Sequence, residues 1–271
     1  MTTSAQTPKL SLGLWIFTAG VLFFLFTPVL IALPLSFNPD PFFSYPIRGI
    51  SLRWYENFLF TDMWRSALKN SAIVGFGTVG VSVPVGILAA IGLSRLGPKV
   101  RALGTAFILA PMIVPVVITA LGMYFFFSKV GLTNSLFGLI LGHSVLATPF
   151  VVLIMSATLA GYDHSLTRAS ASLGARPLRT FLQVTAPILM PGIASSAIFA
   201  FVTSFDEVVM VVFLAGVDQS TLTREMWKGI REDINPTILA VAMFMVLVSV
   251  GGLSLLEILR RKLERDRRSA A

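Results

Sequence analysis

Two adjacent carboxylates, Asp206 and Glu207, are the residues of this sequence best placed to do chemistry, because they follow a long apolar stretch. Counted from Gly192 along a helix, they lie about 20 Å from its start at about 1.5 Å per residue. If that helix crosses a membrane, an ionisable group at this depth usually faces a cavity, a partner charge or a solute. One or both carboxylates could therefore bind a cation. The alternatives are an ion pair with Arg224 or Lys228, or a helix break that places both carboxylates in an external vestibule.

Two aromatic residues are assigned to the same predicted solute path. Phe205 directly precedes the carboxylates, and Tyr124 begins an aromatic run in another apolar stretch. The face of an aromatic ring attracts cations, so either ring could contact an amine. Packing at the membrane interface is the alternative for Tyr124. The predicted substrate path therefore consists of Asp206, Glu207, Phe205 and Tyr124.

The sequence offers no enzyme active site. Its two histidines, His143 and His164, lie on opposite sides of an apolar stretch, which rules out a shared metal or a serine–histidine dyad that uses both. His143 is either a packed polar residue or a proton relay. The phosphate-loop pattern G-x-x-x-x-G-K-[ST] and the G-x-S-x-G pattern are both missing from the sequence. We predict no catalytic residue, no metal site and no cofactor bound by this chain.

The composition is that of an integral membrane protein. The chain is 55% hydrophobic and 13% charged, whereas a soluble domain is about 25% charged. It contains no cysteine, which excludes disulfides and thiolate metal sites. The net charge of +8 comes from basic residues at the ends of apolar windows and in the tail, as membrane orientation requires. We therefore predict the lipid bilayer as a partner and no nucleic acid, for which a basic–aromatic module is missing.

Six apolar windows predict six transmembrane helices. Each is long enough to cross about 30 Å of hydrocarbon. They lie between Lys9 and Asp40, between Lys69 and Arg95, between Arg101 and Lys129, between Lys129 and Asp163, from about Ile188 to Ala215, and between Asp233 and Glu257. Prolines recur inside the spans and indicate either kinks around a path or ordinary bundle packing: Pro28, Pro84, Pro111, Pro115 and Pro149.

The predicted fold class is an all-α polytopic membrane protein. We divide it into a cytoplasmic N-terminus (1–9), a first transmembrane helix (10–37), an external loop (38–69), a core of five transmembrane helices (70–259) with a polar loop at 161–191, and a basic tail (260–271). With both termini in the cytoplasm, most of the 21 lysines and arginines lie inside, as the positive-inside rule favours. The polar loop then also faces the cytoplasm.

Two external segments carry short amphipathic patterns. Ser51 can cap a helix rich in aromatic residues, and the loop 216–236 has helix-compatible spacing at Leu222, Met226 and Ile230. Each segment could receive an external partner. Anchoring at the membrane interface is the alternative for both.

The cytoplasmic loop begins with a short predicted helix. Asp163 or Ser165 can cap its first turn. Gly174 stands where a left-handed helix end favours glycine. The positions that share one face of this helix are apolar: Leu166, Ala169 and Leu173.

A second short helix is predicted to follow. Pro177 suits its first turn, where the missing amide proton costs nothing. One stripe of this helix is apolar: Leu178, Phe181 and Leu182. We expect Pro187 and Pro191 to end the helix before the next span. We predict that the whole loop is a docking element held against the membrane face.

The loop resembles the "EAA" loop of type I ABC importer permeases. Ala169 and Ser170 match the two alanines of that pattern, Gly174 matches its glycine and Pro187 its proline, while Arg168 stands where the family usually has glutamate. The resemblance implies a type I ABC permease fold in which this loop docks into a cleft of an ATP-binding subunit. The implied ATPase-coupling residues are Leu166, Arg168, Ala169, Ser170, Leu173, Gly174, Ala175 and Arg176.

Further segments resemble the spermidine/putrescine permease branch of that family. They are Ser204-Phe205-Asp206-Glu207, Phe213-Leu214-Ala215-Gly216, Met226-Trp227 and Asn235-Pro236-Thr237. With the loop, the resemblance covers about 70–259. It implies a bacterial inner-membrane subunit for a polyamine or a similar cationic solute. The implied partners are a second permease subunit, a dimer of ATP-binding subunits that holds ATP and Mg, and an external solute-binding protein.

Two alternative functions remain at this point. The solute could be another small charged compound, such as an opine, thiamine, ferric iron or a phosphonate. Alternatively, the chain could be a self-sufficient channel or a proton-coupled carrier in which Asp206 or Glu207 titrates. The resemblance of the loop favours a transport subunit that is no enzyme and leaves ATP hydrolysis to a separate subunit.

Overall fold

The computed structural model describes residues 12–232 and 234–269, and this part of the chain contains helices and no strand. The predicted N-terminus 1–9 lies outside the described residues. The helices, in chain order, are α1 (Leu12–Leu35), α2 (Arg53–Phe60), α3 (Asp62–Ser94), α4 (Pro98–Ile113), α5 (Val116–Val130), α6 (Leu136–Ala160), α7 (His164–Ser172), α8 (Pro177–Thr180), α9 (Ala186–Phe205), α10 (Val209–Leu214), α11 (Leu222–Glu232) and α12 (Thr237–Ser269).

The number of apolar spans agrees with the sequence. Five helical segments are long and apolar enough to cross a membrane, and the bent pair α4–α5 makes six when it counts as one broken span. The five are Leu12–Leu35, Asp62–Ser94, Leu136–Ala160, Pro177–Phe205 and Thr237–Leu255. The second begins at Asp62, so the predicted external loop 38–69 contains α2 and the first turns of α3.

The third window is not the continuous helix that its composition predicts. Its two halves, α4 and α5, meet at 98°. Val114 and Pro115 between them have extended backbone, with ψ values of 132° and 128°. Proline lacks the amide proton of the helical ladder and disfavours helical backbone at the residue before it, so Pro115 accounts for the break.

Three helices, α3, α6 and α9, form the centre of the molecule. Their buried faces meet through aliphatic side chains, among them Val83, Ile87, Val151, Met155 and Leu189. Gly86 allows close approach of α3 to α6, because a Cβ there would lie 2.5 Å from the Val151 side chain. Small residues at such crossings are typical of membrane helix packing.

The peripheral helices expose apolar side chains, as a bilayer permits. Helix α1 packs beside α12 and buries none of its residues. A solvent-facing helix of this hydrophobicity would be unstable in water, so lipid or another membrane subunit must cover it.

Pro187 and Pro191 do not end the second loop helix, so that prediction is wrong. The chain continues from α8 through a π turn, Phe181–Thr185, directly into α9. The Ala186 amide donates to the Phe181 carbonyl five residues earlier. This wider turn shifts the hydrogen-bond register just before Pro187, which then occupies the first turn of α9, where its missing donor is tolerated.

Candidate functional site

Helix α7, the first helix of the polar loop 161–191, begins and ends as the sequence predicts. Asp163 caps it: one carboxylate oxygen accepts from the Ser165 amide at 2.8 Å and the other from the Ser165 hydroxyl at 2.6 Å. These hydrogen bonds, aided by the more distant charges of Arg168 and His164, lower the pKa of Asp163. Gly174 has the left-handed backbone expected of it, with φ +78°, and Pro177 opens α8.

Hydroxyl groups hold the α7–α8 corner to the membrane helix that follows. The Ser170 and Thr180 hydroxyls lie 3.0 Å apart. The buried Tyr162 hydroxyl lies 2.8 Å from the Thr167 hydroxyl and 3.3 Å from that of Thr185, in the π turn. These short polar contacts connect α7 and Tyr162 with α8 and the π turn that precedes α9.

The outer face of this corner is apolar and exposed. Leu173 is 88% exposed, and Leu166, Leu178 and Leu182 are exposed as well. The other predicted coupling residues lie on the same corner, with Arg168, Ala169, Gly174 and Arg176 exposed and Ser170 and Ala175 half-buried. Exposed leucines on a polar loop are typical of a protein-docking surface.

Asp206 and Glu207 lie at a helix break, one of the arrangements that the sequence left open. Helix α9 ends at Phe205, and α10 begins at Val209. Glu207 bridges the gap, because its Oε1 accepts from the amides of Val209 at 2.7 Å and Met210 at 3.0 Å. Asp206 is exposed, while Glu207 is half-buried. The two carboxylates therefore differ, because Glu207 caps α10 whereas the Asp206 side chain is exposed.

The alternative ion pairs of these carboxylates do not form. The Arg224 guanidinium donates to the Gly216 carbonyl, and the Lys228 ammonium lies 3.9 Å from Glu232. The loop that carries both cations bonds to the break in a different way, through a Thr223 hydroxyl that donates to the Glu207 carbonyl at 2.9 Å.

The two aromatic residues of the predicted path lie in different surroundings. The Phe205 ring is only 5% exposed and packs in a cluster with Trp64 and Leu222. Tyr124 is 41% exposed on α5, where its ring meets the edge of Phe125. Within the described residues, no hydrogen bond or ring contact links Tyr124 to Asp206, and no group of three residues could hold a metal ion.

Comparison with known proteins identifies the family. Residues 82–265 match the family described as "Binding-protein-dependent transport system inner membrane component". The chain belongs to this family. It is thus a multi-pass inner-membrane permease component, and the type I ABC permease resemblance is confirmed.

Two relatives and one solved structure show how similar this chain is to known proteins. The permease is 31% identical to the "Putrescine transport system permease protein PotI" of Escherichia coli, over 84% of this chain and 83% of that protein. It is 26% identical to the "Spermidine/putrescine transport system permease protein PotC" of Haemophilus influenzae, over 88% and 93%. A bacterial alginate ABC transporter, solved in complex with an alginate pentasaccharide-bound periplasmic protein, has a TM-score of 0.66 at 16% identity, over 92% and 95%. This last likeness shows the fold alone.

Sequence reasoning missed a polar chain in the core of the permease. The His143 Nδ1 lies 2.8 Å from the Ser204 hydroxyl, which donates to the Thr78 hydroxyl at 3.2 Å. All three side chains are buried, and they join α6, α9 and α3 just before the break. His143 is therefore packed and hydrogen-bonded in the core through Nδ1, while its buried Nε2 has no hydrogen-bond partner within the described residues. The signal was present as one polar residue in each of three apolar spans, but their pairing required the fold.

The sequence also missed what holds the loop 216–236. Asn70, near the start of α3, donates to the carbonyls of Asp218 at 2.8 Å and Ser220 at 2.9 Å. The Ser71 hydroxyl accepts from the Leu222 amide at 2.9 Å. The predicted amphipathic helices are both present, as α2 and α11. The loop 216–236 is thus anchored to α3 rather than merely lying at the interface.

Proposed function

We propose that this permease carries a polyamine, or a similar cationic solute, through an ATP-driven importer that depends on an external solute-binding protein. The observation that carries the proposal is the exposed Asp206 carboxylate at the break between α9 and α10, beside a Glu207 whose carboxylate is used for capping. A single free carboxylate on an apolar path attracts a cation. The names of the relatives point to the same class of solute.

In the proposed assembly, this chain pairs with a second permease subunit and rests on a dimer of ATP-binding subunits that hold ATP and Mg. Both of its termini and α7 lie in the cytoplasm, and the anchored loop 216–236 faces the external solute-binding protein. The exposed leucines of the α7–α8 corner support docking to the ATP-binding subunit.

In the proposed cycle, ATP binding closes the ATPase dimer and displaces α7. The hydroxyl contacts from Tyr162 and Ser170 pass this displacement to the π turn and α9. Because α9 leads directly to Asp206, the solute path opens to alternate sides of the membrane.

The test is solute uptake by the complete importer in proteoliposomes. We expect ATP-dependent uptake of spermidine or putrescine, reduced about tenfold or more in Asp206→Asn, since a hydrogen bond to a charged group is worth about 1.5–3 kcal/mol. The matched control is Asp62→Asn, which changes an exposed acid in the first turn of α3, outside the break and outside the loop 216–236. Uptake unchanged in Asp206→Asn removes Asp206 from the path, and uptake driven by a gradient without ATP assigns the chain to the carrier class.

A further inference from the structure

A cavity of about 600 Å³ lies between the end of α3 and the α7–α8 corner. Its polar lining consists of hydroxyl, imidazole and guanidinium groups, including Ser94, Arg95, His164, Thr167, Arg168 and Thr180. Each of these groups can donate a hydrogen bond, and none is an acid. The cavity is therefore built to receive an anionic group.

Its two arginines are not neutralised within the described residues. Neither Arg95 nor Arg168 forms an ion pair there, and both are exposed. The acid nearest in sequence to Arg168 is Asp163, and both of its carboxylate oxygens accept hydrogen bonds from Ser165. Arg95 follows the last turn of α3, where a cation is favourable. Within the described residues, Arg168 has only the more distant charge of Asp163 near it.

The position of Arg168 on α7 connects the cavity with the proposed docking surface. Residues of a helix turn by about 100° each, so Thr167, Arg168 and Ala171 face the cavity while Leu166, Ala169 and Leu173 face away from it. The exposed leucines and the cationic cavity are thus two sides of one short helix. A protein that docks on the exposed leucines therefore also reaches the cationic cavity.

We propose that the ATP-binding subunit places a carboxylate between Arg95 and Arg168 when it docks. This inference rests on the proposed function and names the chemistry of the partner surface. Where the resembling family has glutamate, Arg168 has the opposite charge, so the complementary partner residue is an Asp or a Glu. Two guanidinium groups hold one carboxylate through paired charge-assisted hydrogen bonds, which gives the contact direction as well as attraction.

The experiment measures the affinity of the purified permease for its co-purifying ATP-binding subunit at low and high salt. We expect Arg168→Glu to weaken binding by about tenfold or more, because it leaves two like charges facing each other. Arg95→Glu, on a different helix, should weaken it in the same direction, and Arg168→Lys should do so only slightly. The control is Arg179→Glu, an exposed arginine outside the cavity whose Nε donates to Gln183 at 2.9 Å.

A charge exchange separates loss of contact from loss of folding. Lysine replaces each acid on the docking surface of the ATP-binding subunit in turn, and one of these variants should restore binding to the Arg168→Glu permease. If the unaltered permease binds no ATP-binding subunit, the proposed function fails. If it binds, and both arginine variants bind equally well at both salt concentrations, the carboxylate inference is overturned and the proposed function stands. Competition by inorganic phosphate or a requirement for anionic lipid, without any restoring acid, also overturns it.

Discussion

Two regions of this permease, the α7–α8 corner and the loop 216–236, are held by hydrogen bonds that span different separations along the sequence. The α7–α8 corner is held by hydrogen bonds between residues that are close in sequence. The most widely separated pair, Tyr162 and Thr185, is 23 positions apart. The loop 216–236 is held by contacts across the chain, such as those from Asn70 to Asp218 and Ser220. The corner is thus attached mainly to the start of α9, whereas the loop 216–236 is fastened to α3. In the proposed cycle the corner moves while the solute path keeps its shape, and these two roles call for the two kinds of support.

The largest effect is expected at the turn that ends α7. Gly174→Asp puts a side chain on left-handed backbone and a negative charge on the docking corner, although a Cβ there meets no atom within 4 Å. We expect ATP-dependent uptake to fall about tenfold or more, because the charge lies on the docking corner. The protein should still fold, because the backbone strain costs only about 1–3 kcal/mol.

The matched control for that change is Gly131→Asp. Gly131 ends α5 with φ +72°, and a Cβ there also meets no atom within 4 Å. The two variants should lose similar thermal stability, but only the one at Gly174 should lose the coupling between ATP hydrolysis and uptake. Equal loss of coupling in both would mean that the corner has no special role.

The next largest effect is expected at the external anchor. Asn70→Leu removes two hydrogen bonds and leaves two carbonyl acceptors unsatisfied, one buried at Ser220 and one partly buried at Asp218. Each unsatisfied group costs about 1–3 kcal/mol, so thermal unfolding in detergent should shift to a clearly lower temperature. Asn57→Leu removes one hydrogen bond to the Thr237 hydroxyl and one from the exposed Thr61 hydroxyl, but leaves no backbone acceptor unsatisfied, so it should shift the unfolding temperature less. The reverse order would contradict the view that the loop depends on α3.

A smaller effect is expected at the corner itself. Tyr162→Phe removes only the hydroxyl that lies near Thr167 and Thr185. A single hydrogen bond contributes about 0.5–1.5 kcal/mol. We expect the ATP hydrolysed per solute imported to rise two- to threefold, measured in proteoliposomes, with little change in unfolding temperature. Unchanged stoichiometry would show that the contact does not transmit the displacement.

The smallest effect is expected from Glu207→Gln. The amide oxygen of glutamine can still accept from the Val209 and Met210 amides, although a charged acceptor binds about twice as strongly. Uptake should therefore stay within about twofold of the original, in contrast to Asp206→Asn. A Glu207→Gln loss as large as that of Asp206→Asn would place both carboxylates on the solute path.

The same difference in sequence separation explains which features could be predicted from the sequence. The Asp163 cap, the left-handed Gly174 and the Pro177 helix start depend on residues within one or two turns, and all three are confirmed. The anchoring by Asn70 and the chain from His143 through Ser204 to Thr78 join residues more than sixty positions apart. A local sequence pattern does not indicate which distant residues will be in contact.

One incomplete prediction and one error concern prolines. The sequence indicates either a kink or ordinary packing at Pro115, and the structure has a 98° break there. Pro187 and Pro191, which were expected to end a helix, lie in the first turn and the interior of α9. The outcome depends on the register of the preceding hydrogen bonds, which the π turn Phe181–Thr185 changes before Pro187.

Docking of the ATP-binding subunit on the α7–α8 corner is the central claim, and cross-linking tests it directly because the chain contains no cysteine. Leu173→Cys and Val217→Cys introduce single thiols at positions that are equally exposed, 88% each. Each is labelled with a maleimide photo-cross-linker in native membranes, and the captured proteins are identified by mass spectrometry. We predict that the thiol at position 173 captures an ATP-binding subunit and that the thiol at 217 does not. Capture of that subunit from 217, or from neither position in an importer active for uptake, would contradict the account.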